Sequence, residues 1–174
     1  MKTFAIVAAV DDAGGLGRDG DLVWHLPGDL RYFREVTSRT NGALTRNAVV
    51  MGRLTWESIP ERFRPLADRL NVVITRQPDY GLPGDALRAG SLEQALDLVN
   101  ALEDVESVFV VGGGQIYREA IRHPGCGQVL LTHVQGTFDC DVFFPDLPEE
   151  FTQQSLSPVE TGDAHPYRYA RYSR

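Results

Sequence analysis

The sequence predicts an α/β fold built on a mainly parallel sheet, and three observations carry that prediction. Short apolar runs rich in β-branched residues recur along the chain, helix signals separate them, and the C-terminal part changes to two strand-like segments joined by a turn. The runs are Phe4 to Val10, Ala48 to Met51, Val72 to Thr75, Val108 to Val111 and Val129 to Val134. They lack polar alternation, which marks strands buried on both faces and linked by crossover connections. Helices are expected from Pro27 to about Thr37, Leu54 to Ile59 and Gln115 to Ile121. The clearest helix starts at Ser91, a capping residue, with Gln94 at the reciprocal capping-box position and Leu92, Ala95, Leu96 and Val99 at helical spacing. Phe151 to Val159 and Tyr167 to Tyr172 read as an antiparallel hairpin turning through Glu160 to Pro166 and closing the sheet. Ser38 to Asn47 and Pro78 to Asp85 read as surface loops.

At 174 residues with no repeat or linker, the chain is expected to form one domain spanning 1–174. Hydrophobic residues at 43% and charged residues at 24% are ordinary for a globular protein that folds on its own. The apolar stretch after Met1-Lys2 is too short to span a bilayer, and a cytoplasmic protein is expected. A net charge of −7 disfavours nucleic acid and anionic membranes, so an anionic ligand must be met by a local group of arginines. Cys126 and Cys140 match neither redox nor zinc spacing, and no metal is expected. Lys2 is the only lysine, which excludes a central Schiff-base or P-loop lysine.

Gly15-Leu16-Gly17-Arg18-Asp19-Gly20 fits GxGxxG, but no amphipathic helix follows before Pro27, so the dinucleotide fingerprint fails. Those glycines read as joints of a mobile loop ending at Trp24. Gly112-Gly113-Gly114 lies between an apolar strand and a helix, where amides without neighbouring Cβ atoms can receive a phosphate. A tight turn without a ligand explains the same residues equally well. Arg53 and Arg76 fall at the carboxyl ends of strands, where ligands of open α/β sheets gather, and with the Thr75 hydroxyl they could hold a 2′-phosphate. Asp29 falls one helical turn before Phe33, so an acid and an aromatic ring share a face. If that face lines a pocket, desolvation raises the acid's pKa and it needs a partner with paired N–H donors; otherwise Asp29 simply complements the helix dipole.

Taken together, these residues closely resemble the dihydrofolate reductase family from about Phe4 to the C-terminal strand. The matching blocks are Ala8-Ala9, Leu16-Gly17, Trp24 to Phe33, Met51-Gly52-Arg53 with Thr55 to Pro60, Arg64-Pro65-Leu66 with Arg69-Leu70-Asn71, Val111 to Tyr117, Leu131-Thr132 and Phe144-Pro145-Asp146. Ser58 to Glu61, Arg64 to Leu66 and His123-Pro124-Gly125 look like the eukaryotic branch, whereas aspartate at position 29 looks bacterial. The chain departs from the family at Val23, where a proline is common, and in extra residues around Asn41 to Asn47.

The resemblance implies a central eight-stranded sheet with an antiparallel C-terminal strand and about four flanking helices. It implies NADPH-dependent reduction of 7,8-dihydrofolate to 5,6,7,8-tetrahydrofolate, with hydride passing to pterin C6 and a proton to N5. Asp29, assisted by Thr132, should accept hydrogen bonds from the pterin amino group and ring N–H, while Leu22, Trp24 and Tyr117 complete the surroundings of the reacting atoms. Val7, Ala8, Ala9, Leu30, Phe33, Ile59, Leu66, Val111 and Tyr117 should form the substrate walls, with Arg69 gripping the α-carboxylate of the glutamate tail. Ala9, Leu16, Gly17, Gly52, Arg53, Leu54, Thr55, Thr75, Arg76, Val111, Gly112, Gly113, Gly114, Gln115, Ile116 and Tyr117 should surround NADPH. Asp141, before Phe143-Phe144, matches a position that in bacterial members supports the closed form of the Asp11 to Trp24 loop. The implied partners are dihydrofolate and antifolate inhibitors such as methotrexate, and a monomer is expected. A riboflavin-pathway reductase of the same fold would lack the Asp29 and Phe33 pairing and the Arg69 clamp, and a noncatalytic pterin or nucleotide binder would have no need of Asp29.

Overall fold

The computed structural model describes residues 1–174. Along the chain the elements are β1 (Phe4–Val10), β2 (Gly15–Gly17), α1 (Pro27–Ser38), β3 (Arg46–Gly52), α2 (Arg53–Ser58), β4 (Arg69–Ile74), β5 (Leu87–Ala89) and α3 (Leu92–Asn100). They continue with β6 (Val105–Val110), α4 (Gly114–Ala120), β7 (Cys126–Val134), β8 (Val142–Phe143), β9 (Thr152–Leu156) and β10 (Tyr167–Ser173). Eight strands form one sheet in the order β5-β4-β3-β6-β1-β7-β10-β9, while β2 and β8 pair separately. From β5 to β7 every neighbour is parallel; β10 runs antiparallel to both β7 and β9. The expected α/β architecture, with its eight strands, four helices and antiparallel end, is the one observed.

The buried runs explain this arrangement. On β3, Ala48 and Val50 face the core beneath α3 and α4, while Val49 and Met51 face the opposite side with Trp56 of α2. All four β3 residues have no measurable exposure, because helices cover both faces of the sheet. Packing to this density leaves little freedom for the strand ends that frame the site. No helix is long and apolar enough to cross a membrane.

Several boundaries moved from the sequence reading, each for an identifiable reason. Strand β4 begins at Arg69 and ends at Ile74, earlier than Val72 to Thr75, because its polar residues are satisfied internally. Asn71, fully buried, accepts the Leu66 N–H and donates to the Leu66 and Arg69 carbonyls. Strands β6 and β7 start three residues earlier than their apolar runs, and β3 starts two earlier. The short strands β2, β5 and β8 had no run long enough to announce them. The loop before β3 is fastened by Glu106, whose carboxylate accepts from the Asn41 and Gly42 amides, the Thr45 hydroxyl and the Asn41 side chain. The backbone bonds from Asn41 and Gly42, followed by that from Thr45, pull the Glu106 pKa down to about 2.

Helix α3 begins as its sequence demands: the Ser91 hydroxyl accepts the Gln94 N–H at 3.1 Å. Gln94 reaches back to the Gly90 amide instead of that of Ser91, so the reciprocal bond closes one residue earlier than expected. Ser91→Ala should therefore lower unfolding free energy by about 1 kcal/mol without changing ligand binding, as measured by urea denaturation.

Candidate active site

Helix α1 has no side-chain cap of its own, with Leu26 preceding Pro27. Its first turn is instead tied to the β9–β10 turn, where Asp163 Oδ2 accepts the Gly28 N–H at 2.8 Å and the Tyr167 hydroxyl at 2.9 Å. This places Asp29 over the sheet, where its Oδ1 accepts a hydrogen bond from Thr132 Oγ1 at 2.7 Å. Thr132 is buried near the carboxyl end of β7, opposite Ala9 of β1 and Tyr169 of β10. No cation pairs with Asp29, and burial raises its pKa; the Thr132 bond opposes the shift and the charge of Asp163 adds to it. Tyr32 stacks on Tyr169 with ring centroids 3.8 Å apart, and burial followed by the nearby Asp29 charge raises the Tyr32 hydroxyl pKa.

A cleft of about 340 Å³ opens at the carboxyl ends of the central strands. The chain runs from β1 to β3 and later returns to insert β6 between them, which makes the switch point where an open α/β sheet offers a crevice. Ala9, Leu16, Gly17, Leu22, Leu54, Thr55, Val111, Gly112, Gly113, Gly114 and Tyr117 line the cleft, joined by Arg18, Gly20, Asp21, Ser58 and Val142. Since Ala9 is the register partner of Thr132, the cleft wall and the Asp29 anchor occupy adjacent strands. Gly112 has φ +120°, and a Cβ there would come within 3.2 Å of the Tyr117 hydroxyl oxygen. A Cβ on Gly114 would meet Val142 Cγ1 at 2.6 Å, so backbone alone fills this turn. The Tyr117 hydroxyl donates to the Val7 carbonyl at 2.7 Å, and its complete burial drives the phenol pKa upward.

Other sequence-selected residues fall outside the cleft lining. Gly52 closes its floor by donating to the Gly112 carbonyl, Ile116 is buried in the core, and Gln115 is exposed with its amide on Glu119. Arg53 pairs with Glu57 at 2.9 Å, and Arg76 is exposed two residues beyond β4. The buried Thr75 hydroxyl accepts the Gln77 N–H at 3.1 Å. Val7 and Ala8 are buried in β1, Leu30 is 48% exposed on α1, and Ile59 and Leu66 pack against the Val49, Met51 and Trp56 cluster. Trp24, 6% exposed, fixes the end of its loop edge-on to Phe138 at 5.4 Å, whereas Leu22 is 57% exposed.

Arg69 is the most informative cation. Only 7% exposed, it donates to the Ala67 carbonyl and the Thr37 hydroxyl and lies 5.9 Å from the Phe33 ring centre. It forms no ion pair: burial, then the charge of Arg34, lowers its pKa, and Asp68 only partly opposes them. A buried guanidinium with donors to spare is suited to an incoming carboxylate.

The sequence profile of a family described as dihydrofolate reductase matches residues 3–174. The chain belongs to the dihydrofolate reductase family. Dihydrofolate reductases of the insects Heliothis virescens and Aedes albopictus are 40% and 38% identical to it, over 83% and 87% of this chain and 80% and 83% of their own lengths. A bifunctional dihydrofolate reductase-thymidylate synthase of Glycine max is 45% identical over 87% of this chain. The chain spans only 29% of that longer relative.

Within this dihydrofolate reductase-family site, Asp163, Tyr32, Tyr169 and Val142 went unread in the sequence. Asp163 lies 135 residues from Gly28, and no local spacing announces such a pair. The chief electrostatic consequence is at Asp29. Below its ordinary value of 3.8 the carboxyl is protonated in folded and unfolded chains alike, and no penalty exists. As pH rises from there through the raised folded value, the penalty for a buried anion grows to its full size. Asp29→Asn, which keeps the oxygen that accepts from Thr132, should be more stable than the wild type at neutral pH. Denaturant midpoints across the acid range should converge as pH falls below that window.

Proposed function

We propose that this chain catalyses NADPH-dependent reduction of dihydrofolate to tetrahydrofolate. The observation that carries the reading is Asp29: an acid with a raised pKa and no cation, fixed by Thr132 beside a glycine-lined cleft. Its free lone pairs suit the amino group and ring N–H of a pterin, a pair of donors in one plane. The pterin ring then lies along Val7 and Ala8, between Leu30 and Phe33 on one side and Ile59 and Leu66 on the other. Arg69 meets the glutamate carboxylate at the outer end, where its buried charge finds a counter-ion.

The cleft residues fit a nicotinamide dinucleotide. Gly112 to Gly114 line the cleft with backbone at the start of α4, where a phosphate can meet main-chain N–H groups, and Ala9, Leu16 and Tyr117 offer a wall for a flat ring. Arg53, Thr75 and Arg76 lie toward the 2′-phosphate end, where Arg53 must leave or share its bond to Glu57. When bound, the reduced nicotinamide supplies a hydride to C6. Asp29 holds the pterin so that the N5 lone pair takes a proton from water, and the N5=C6 double bond becomes a single bond as one N5–H and one C6–H bond form. Leu22 and Trp24 exclude water from the face where hydride moves.

Purified protein mixed with NADPH and dihydrofolate should lose nicotinamide absorbance, faster than with NADH. Absence of turnover by folded protein would remove the proposal. Asp29→Asn should slow hydride transfer by about 100-fold at neutral pH and by less in acid, where solution protons reach N5 directly. Arg69→Ala should raise the dihydrofolate KM by about tenfold or more. A substrate without the glutamate tail should show no such difference between the two proteins.

A further inference from the structure

Asp11 is 3% exposed at the end of β1, forms no ion pair and has no part in the reaction described above. Its two oxygens face two different segments. Oδ1 accepts the Ala13 N–H at 2.9 Å and the Gly15 N–H at 2.7 Å, both from the loop that begins at Asp11 itself. Oδ2 accepts the Phe138 N–H at 3.0 Å and faces the Cys140 thiol at 3.7 Å, both from the segment that follows β7. An aspartate can serve both sides because, ionised, it only accepts. Burial works to raise its pKa, but the backbone bonds from Gly15, Phe138 and Ala13 outweigh burial and hold the acid below its ordinary range.

This joint lies directly before the residues that cover the cleft. A Cβ on Gly15 would strike Cys140 Cβ and Sγ at 2.6 Å and Asp11 Oδ1 at 2.9 Å, so the two segments touch without spare room. From there Gly15–Gly17 pairs with Val142–Phe143, and Leu16, Gly17 and Val142 line the cleft. At the far tip the fastening is lighter and exposed, a bond from the Asp19 N–H to Asp141 Oδ2 at 3.0 Å.

We propose that Asp11 is a positioning residue, a buried two-sided acceptor that joins the Asp11 to Trp24 loop to the segment after β7 and so sets the cofactor wall. The consequence for catalysis rests on the reductase reading above. Asp11→Asn tests it at constant volume: a carboxamide presents one oxygen, which can keep Ala13 and Gly15, and an NH2 that opposes the Phe138 N–H. The cut therefore falls between the segments and not within the loop.

For Asp11→Asn in the 174-residue chain, we expect a folded protein with a lower unfolding midpoint, because two buried donors then face each other, and an unchanged dihydrofolate KM. NADPH affinity and the single-turnover hydride-transfer rate should each fall by about tenfold. NADPH affinity and rate equal to the wild type would overturn the proposal, and so would a matching rise in dihydrofolate KM, which would mark a general disturbance. Amide hydrogen exchange on the wild-type protein gives a second reading that needs neither the variant nor turnover. Gly15 and Phe138 should exchange together and far more slowly than Asp19. Phe138 exchanging at the rate of Asp19 would sink the joint, whereas wild-type inactivity would count against the reductase reading alone.

Discussion

The site depends on one hydrogen bond between a helix and a strand, Thr132 Oγ1 to Asp29 Oδ1. Everything around it keeps a carboxylate half out of water without a cation. Thr132 is immobile because β7 is paired on both sides, by β1 and by β10. The helix is immobile because Asp163 holds its first turn. Of those constraints, the parallel pairing to β1 has a second effect: it brings Ala9, and with it the glycine-lined cleft, next to the acid.

Three charges held wholly or partly out of water in this chain are compensated differently, and the differences separate their uses. Asp11 has its acceptor capacity filled by backbone N–H groups from two segments, so its charge is settled and its work is mechanical. Asp29 has one hydroxyl donor and lone pairs left over, which leaves its charge unsettled and its proton affinity high. Arg69 has a carbonyl and a hydroxyl but no counter-ion. Charges left incomplete in the folded chain are those a ligand can complete. By this criterion the acid and the guanidinium at either end of α1 read as binding groups, and Asp11 does not.

The glycines divide in the same way. Gly15 is required because the Asp11 joint leaves no room for a Cβ, a demand internal to the protein. Gly112 has a positive φ and closes under the Tyr117 ring, whose hydroxyl is committed to the Val7 carbonyl. The apolar wall and the backbone turn are thus fixed by one phenol, and Tyr117 contributes shape with its polar atom turned away.

Composition, the β-branched runs and the capping signal at Ser91 were enough to determine the α/β class, the main strands and helices, and the face shared by Asp29 and Phe33. Local periodicity encodes these directly, because each depends on residues within a few positions of one another. Ordered motif blocks carried the family. The tertiary structure alone decided that Arg69 lacks a counter-ion, and that Asp163 and Asp11 tie distant segments together. Such pairings join positions more than a hundred residues apart, or depend on which partners burial leaves unsatisfied, and no spacing in a single chain records either.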